Sequence, residues 1–116
     1  MEWRVTYYNL VIAQYDEDSG ELSILNTIHK VKPEQILQVL KDDYEDTYSN
    51  SGIEQEEDNV NGSTINTTLE DLINLPVDND IEEYFTFNGI TISWKIFKRQ
   101  MTIDNDVNFF GPGQND

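Results

Sequence analysis

The sequence predicts a small single α+β domain. It should hold an antiparallel sheet of about four strands in two β-hairpins, with two helices and a long acidic loop, in the order ββα-αββ. Three observations predict it. Apolar residues at period two flank a polar turn at 16–20, an Asn88-Gly89 pair separates two further alternating stretches, and apolar residues at helical spacing lie between the two hairpins. The 116-residue length fits one domain, placed at 1–103, with a polar and flexible tail at 104–116.

Residues 3–15 read as the first strand. Trp3, Val5, Tyr7, Val11, Ala13 and Tyr15 share one face, while Tyr8, Leu10 and Ile12 occupy the middle of the other. Both sides of this strand are therefore expected to be covered there. Asp16-Glu17-Asp18-Ser19-Gly20 makes the turn, with Gly20 free to adopt a left-handed backbone. A second strand follows over 22–31, in a register the sequence leaves open.

Pro33 suits the first turn of a helix, and Glu34 suits its positive end. Ile36, Leu37, Leu40 and Tyr44 then recur at helical spacing and predict a helix over 33–45. Its C-terminal end carries Asp42, Asp43, Glu45 and Asp46. Exposed carboxylates there oppose the helix dipole at about 0.3–1 kcal/mol each, and a local rule broken repeatedly points to function. Residues 47–64 are rich in Ser, Asn, Gly and acid and read as a long loop. Thr67-Thr68-Leu69-Glu70 matches a capping box for a short helix whose buried stripe is Leu69, Leu72 and Ile73, ended by Pro76.

The last hairpin is the clearest local signal. A two-residue turn at Asn88-Gly89 pairs positions whose numbers sum to 177, between stretches 81–87 and 90–97. Phe87 then faces Ile90, Phe85 faces Ile92, Thr86 faces Thr91, and Glu82 faces Lys95 as an opposite-charge pair.

Charge carries the functional reading. Twenty-three acidic residues stand against seven Lys and Arg, for a formal charge of -16. Positions 42–94 hold fourteen acids and no cation, and all seven cations (Arg4, Lys30, Lys32, Lys41, Lys95, Lys98 and Arg99) lie outside that stretch. Solvated surfaces ordinarily intersperse both signs. Such a balance argues against direct contact with nucleic acid or an anionic membrane.

Other chemistries find little support. Without cysteine there is no disulfide, thiolate nucleophile or cysteine zinc site. The start at Met1-Glu2-Trp3-Arg4 lacks a secretory pattern, so a cytoplasmic location is expected, in the host cell for a phage-encoded protein. Asn61-Gly62-Ser63 and Asn66-Thr67-Thr68 are then chance glycosylation matches. Asp16-Glu17-Asp18-Ser19-Gly20 and Asp104-Asn105-Asp106-Val107-Asn108 open like calcium loops. The first lacks the central Gly and closing Glu, and the second puts Phe109 where Gly must turn. His29 is the only imidazole and has no partner readable from the sequence. The expectation is a non-enzyme with no catalytic residue, metal or cofactor.

A compact chain of this length has a radius of gyration of about 13 Å, hence a diameter near 35 Å, over which DNA shows roughly twenty phosphates. Fourteen uncompensated carboxylates are of that order, and the basic groove of a nucleic-acid-binding protein is prepared for such a pattern. The sequence therefore predicts a nucleic-acid mimic, a DNA-mimic inhibitor that occupies the nucleic-acid-binding surface of a basic nuclease or Cas-type effector. Its expected contact residues are Asp42, Asp43, Glu45, Asp46, Tyr48, Glu54, Glu56, Glu57, Asp58, Asp78, Asp80 and Glu83. Tyr48 is expected to be exposed and Tyr44 to belong to the core. In charge and size the chain resembles the small DNA-mimic inhibitors of phages and mobile elements, among them anti-restriction, anti-CRISPR and uracil-glycosylase inhibitor proteins. The resemblance includes no motif and brings no residue roles. An immunity protein against a basic nuclease toxin, and an acidic scaffold protein with no inhibitory role, are the alternatives.

Overall fold

A computed structural model of the chain describes residues 2–50 and 65–104. Two 15-residue strands form its axis, β1 (Glu2–Asp16) and β4 (Ile90–Asp104), paired antiparallel from Glu2↔Asp104 to Asp16↔Ile90. β2 (Glu21–Lys30) flanks β1 and β3 (Asp80–Phe87) flanks β4, giving the sheet order β2-β1-β4-β3. α1 (Pro33–Asn50) and α2 (Leu69–Asn74) connect the two hairpins. The predicted α+β class and the ββα-αββ order hold. So does the β3–β4 register, in which Phe87↔Ile90 and Ile81↔Ile96 pair as the sum of 177 requires.

One face of the sheet carries the core. Tyr8, Leu10 and Ile12 of β1, Ile92, Trp94 and Ile96 of β4, and Phe85 of β3 are all buried against Ile36, Leu37, Leu40 and Tyr44 of α1 and Leu72 of α2. Leu10, Ile36, Leu40, Leu72, Trp94 and Ile96 are fully buried, each worth about 1.5–3 kcal/mol of transfer free energy. Tyr44, Phe85 and Trp94 form an aromatic cluster, with Tyr44–Trp94 centroids 4.6 Å apart and Tyr44–Phe85 5.7 Å apart in an edge-on arrangement.

The opposite face corrects the sequence reading. Trp3, Val5, Tyr7, Val11, Ala13 and Tyr15 share it, yet none is buried, and Trp3 and Tyr15 are exposed. Both helices lie on the other side, so among the described residues β1 is covered on one side only. A bulge between Ile12 and Ala13 leaves Leu25 of β2 without a partner. It switches the parity of β2, so Leu22 and Ile24 join the open face while Ile28 packs against the core.

Three boundaries also shift. α1 runs to Asn50, five residues beyond the sequence estimate, and Tyr48 is half-buried with its ring edge-on to Phe85 at 6.1 Å, where exposure was expected. β4 continues to Asp104, because β1 offers it a partner along its whole length. The cap of α2 is Thr68 with Asp71, one residue later than predicted: the Thr68 hydroxyl accepts from Asp71 N and the Asp71 carboxylate accepts from Thr68 N. Thr67 is unavailable for capping, since its hydroxyl donates to Glu83. Of the predicted stripe of α2 only Leu72 is buried, with Ile73 and Leu69 exposed. Finally, the structure measures 66 × 32 × 21 Å with a radius of gyration of 18.6 Å, far longer than the expected 35 Å diameter. The full-length β1–β4 pairing causes this, since fifteen residues in a strand span about 50 Å.

Candidate functional site

Acidic side chains in this fold divide into those that build it and those that stand clear. Asp43 belongs to the first group. Its carboxylate accepts a 2.6 Å hydrogen bond from the indole Nε1 of the fully buried Trp94, satisfying the donor that burial would otherwise strand. Glu83 likewise accepts from the backbone of Asn66 and Thr67 and from the Thr67 hydroxyl, fastening the entry to α2 onto β3. Both acids sit on the apolar phase of their elements: Asp43 follows Ile36 by seven positions, and Glu83 alternates with Ile81 and Phe85. That phase is the signal by which the sequence marks them as inward-facing.

Asp78 and Asp80 are neutralised. Asp78, left-handed at φ 68°, pairs with Arg99 at 3.6 Å, and Asp80 pairs with Lys95 at 3.6 Å. Glu82 stands opposite Lys95 as the register predicts, but its carboxylate accepts from the Ser93 hydroxyl while Lys95 reaches diagonally to Asp80. These residues lie along the β3–β4 ladder and its approach, away from the end of α1. Glu54, Glu56, Glu57 and Asp58 fall outside the described residues.

Asp42, Glu45 and Asp46 remain, all exposed on α1. Asp42 accepts from Gln38 Nε2 at 2.9 Å one turn earlier, and the other two follow within the next turn. The topology brings them further company. The backbone N–H of Glu17 donates to Gly89 O at 2.9 Å, tying the β1–β2 turn to the β3–β4 turn. Asn88 and Thr47 line one apolar cavity of about 290 Å³, so the final turns of α1 meet the same end of the sheet.

That end therefore gathers Asp16, Glu17, Asp18 and Glu21 with Asp42, Asp43, Glu45 and Asp46. The segments that form it, 12–27, 42–50 and 84–94, contain no Lys or Arg. Asp16 spends its carboxylate on Asp18 N at 2.9 Å in a local turn, leaving six exposed acids. The four turn residues were not among the expected contacts, because only the pairing of β1 with β4 brings the two turns together. Lys41 stands beside this group, exposed on α1 one turn before Glu45, and the other cations lie elsewhere. Lys98 donates to Ile73 O at 2.7 Å beside the Tyr8 ring, Arg99 stacks on Phe97, and Arg4 sits near the far end opposite Thr102.

Comparison with protein-family models, curated proteins and solved structures gives no match. Local geometry alone must carry the reading. Among the described residues no group of three or more His, Asp or Glu is placed to hold a metal ion, and no helix is long and apolar enough to cross a membrane. His29 has its Nδ1 2.6 Å from Asn9 Oδ1 on the open face of the sheet.

Proposed function

We propose that this protein is a nucleic-acid mimic: an inhibitor, encoded by a phage or mobile element, that occupies the basic DNA-binding surface of a host nuclease or other nucleic-acid-binding protein. The anti-CRISPR and anti-restriction inhibitors are the type it resembles. One observation carries the proposal: the gathering of six exposed carboxylates, with Lys41 as their near cation, at one end of an elongated molecule. Across the molecule's 32 Å second dimension, a DNA strand would present roughly nine phosphates, and six exposed acids are of the same order. A cationic channel would steer such an end inward and bind it in place of nucleic acid. The contact set then centres on Glu17, Asp18, Glu21, Asp42, Glu45 and Asp46. Asp43 and Glu83 serve the fold, and Asp78 and Asp80 are held by Arg99 and Lys95.

The test is capture from host lysate at about 50 mM salt, with release at about 1 M, where the screening length falls to about 3 Å. The expected prey is a basic nucleic-acid-binding protein that loses its DNA when this chain is added. Reversing Asp42, Glu45 and Asp46 to Lys should slow association at least tenfold. Reversing Glu2, Glu34 and Glu70 should change it far less. Prey that keeps its DNA, or equal effects of the two triple variants, would refute the proposal.

A further inference from the structure

Among the described residues, no helix lies over the open face of the sheet. Trp3, Tyr15, Leu22, Ile24, Tyr84 and Met101 are between 41% and 63% exposed on it. Half-buried Val5, Tyr7, Val11, Ala13 and Phe97 lie between them. Two shallow apolar hollows of about 220 and 230 Å³ mark it, one between Val5, Tyr7, Val31 and Met101, the other between Val11, Ala13, Leu22, Ile24 and Phe97. His29, Asn9 and Lys95 lie between the two hollows, and exposed apolar patches of this kind, rimmed by polar residues, mark an interaction site.

We infer that this face is covered by a second copy of the chain, the two sheets packing face to face about a two-fold axis. Area supports it. At a rise of about 3.3 Å per residue and a strand spacing of about 4.8 Å, the four strands present about 760 Å² per copy. Two facing copies would enclose about 1,500 Å², within the roughly 1,200–2,000 Å² of a stable specific interface. Charge selects the occupant. On a chain of -16, this face carries Lys95 and Arg99 against Asp80, Glu82 and the Arg99-paired Asp78, so it holds little of the net charge and is the side on which two copies meet with least repulsion. A strongly basic partner would find little excess of acid here. A two-fold axis also suits the face, because an isologous contact needs only one patch that complements itself. The dimer would carry its helices and acidic ends outward, so this inference stands whether or not the acidic end meets a nuclease.

Sedimentation equilibrium of the full chain at about 100 μM tests it, in about 0.5 M salt to screen the remaining charge. The expected mass is twice the 13.5 kDa of one chain. Ile24→Lys with Met101→Lys should return it to a single chain with an unchanged circular dichroism spectrum, because both side chains are about half exposed within one copy. Leu22→Lys with Tyr84→Lys gives the same readout at separate positions, should the first pair disturb folding. A wild-type chain that sediments as a monomer would overturn the inference and leave the face to another partner or to residues beyond Asp104. So would a dimer that survives both pairs, which would place the contact elsewhere, at the exposed β2 edge for instance.

Discussion

Tyr44 shows how much a single position in this fold is asked to do. Its ring joins Trp94 and Phe85 in the core, yet its buried hydroxyl has no hydrogen-bond partner among the described residues. Burial first, then the Glu83 carboxylate and the Tyr48 phenol, push its pKa up to about 12. A phenol whose folded pKa lies above its unfolded value of 10 contributes stability that is whole below pH 10. That contribution disappears as pH climbs from 10 towards 12. Tyr44→Phe removes both the stranded hydroxyl and this titration. It should leave stability at pH 7 unchanged or raise it by up to about 1 kcal/mol, and it should delay alkaline unfolding, as urea melts at pH 7 and pH 11 would show. Wild-type and variant chains losing stability identically above pH 10 would contradict this account. Tyr44 as a core residue was legible from helical spacing. The roles of Asp43 and Glu83 were not, since Trp94 lies 51 residues from Asp43 and Thr67 lies 16 from Glu83. A charge run read as a surface hides the members that happen to fall on the apolar phase.

Elements were legible where local chemistry decides them. The Asn88-Gly89 turn fixed the register of β3 and β4 because a two-residue loop permits one pairing, and both residues adopt the required positive φ. The β1–β2 hairpin was legible as a hairpin only, because the bulge at Leu25 reverses the face of every residue beyond it. α1 extends through Asp46, Thr47 and Ser49, poor helix formers that mark an end by propensity alone, because Tyr48 finds Phe85 and tertiary packing outweighs propensity. α2 has six residues and one buried side chain, so its cap matters more than it would in a longer helix. Thr68→Ala should cost about 1 kcal/mol, read as a lower urea midpoint at constant slope. An unchanged midpoint would mean that the Glu83 clamp alone holds the segment.

For the whole molecule, composition predicted the sign and excess of charge, and only topology decided where it gathers. Two turns far apart in sequence share an end because β1 and β4 pair along fifteen residues, a non-local fact that no window of sequence contains. The same pairing stretches the structure to 66 Å and thins the charge per unit length below what a 35 Å sphere implies. Self-repulsion still acts across the acidic end. The melting temperature should therefore rise between about 10 mM and about 1 M monovalent salt, as the screening length falls from about 30 Å to about 3 Å. A flat thermal melt series would show that the carboxylates do not strain the fold. The β1–β4 ladder has a further consequence for handling the molecule. Glu2 lies directly across from Asp104, about 45 Å along the strands from the turns at Asp16 and Gly89. A purification tag, surface tether or fused reporter joined upstream of Glu2 therefore departs from the extremity opposite the turns and leaves that tip unobstructed.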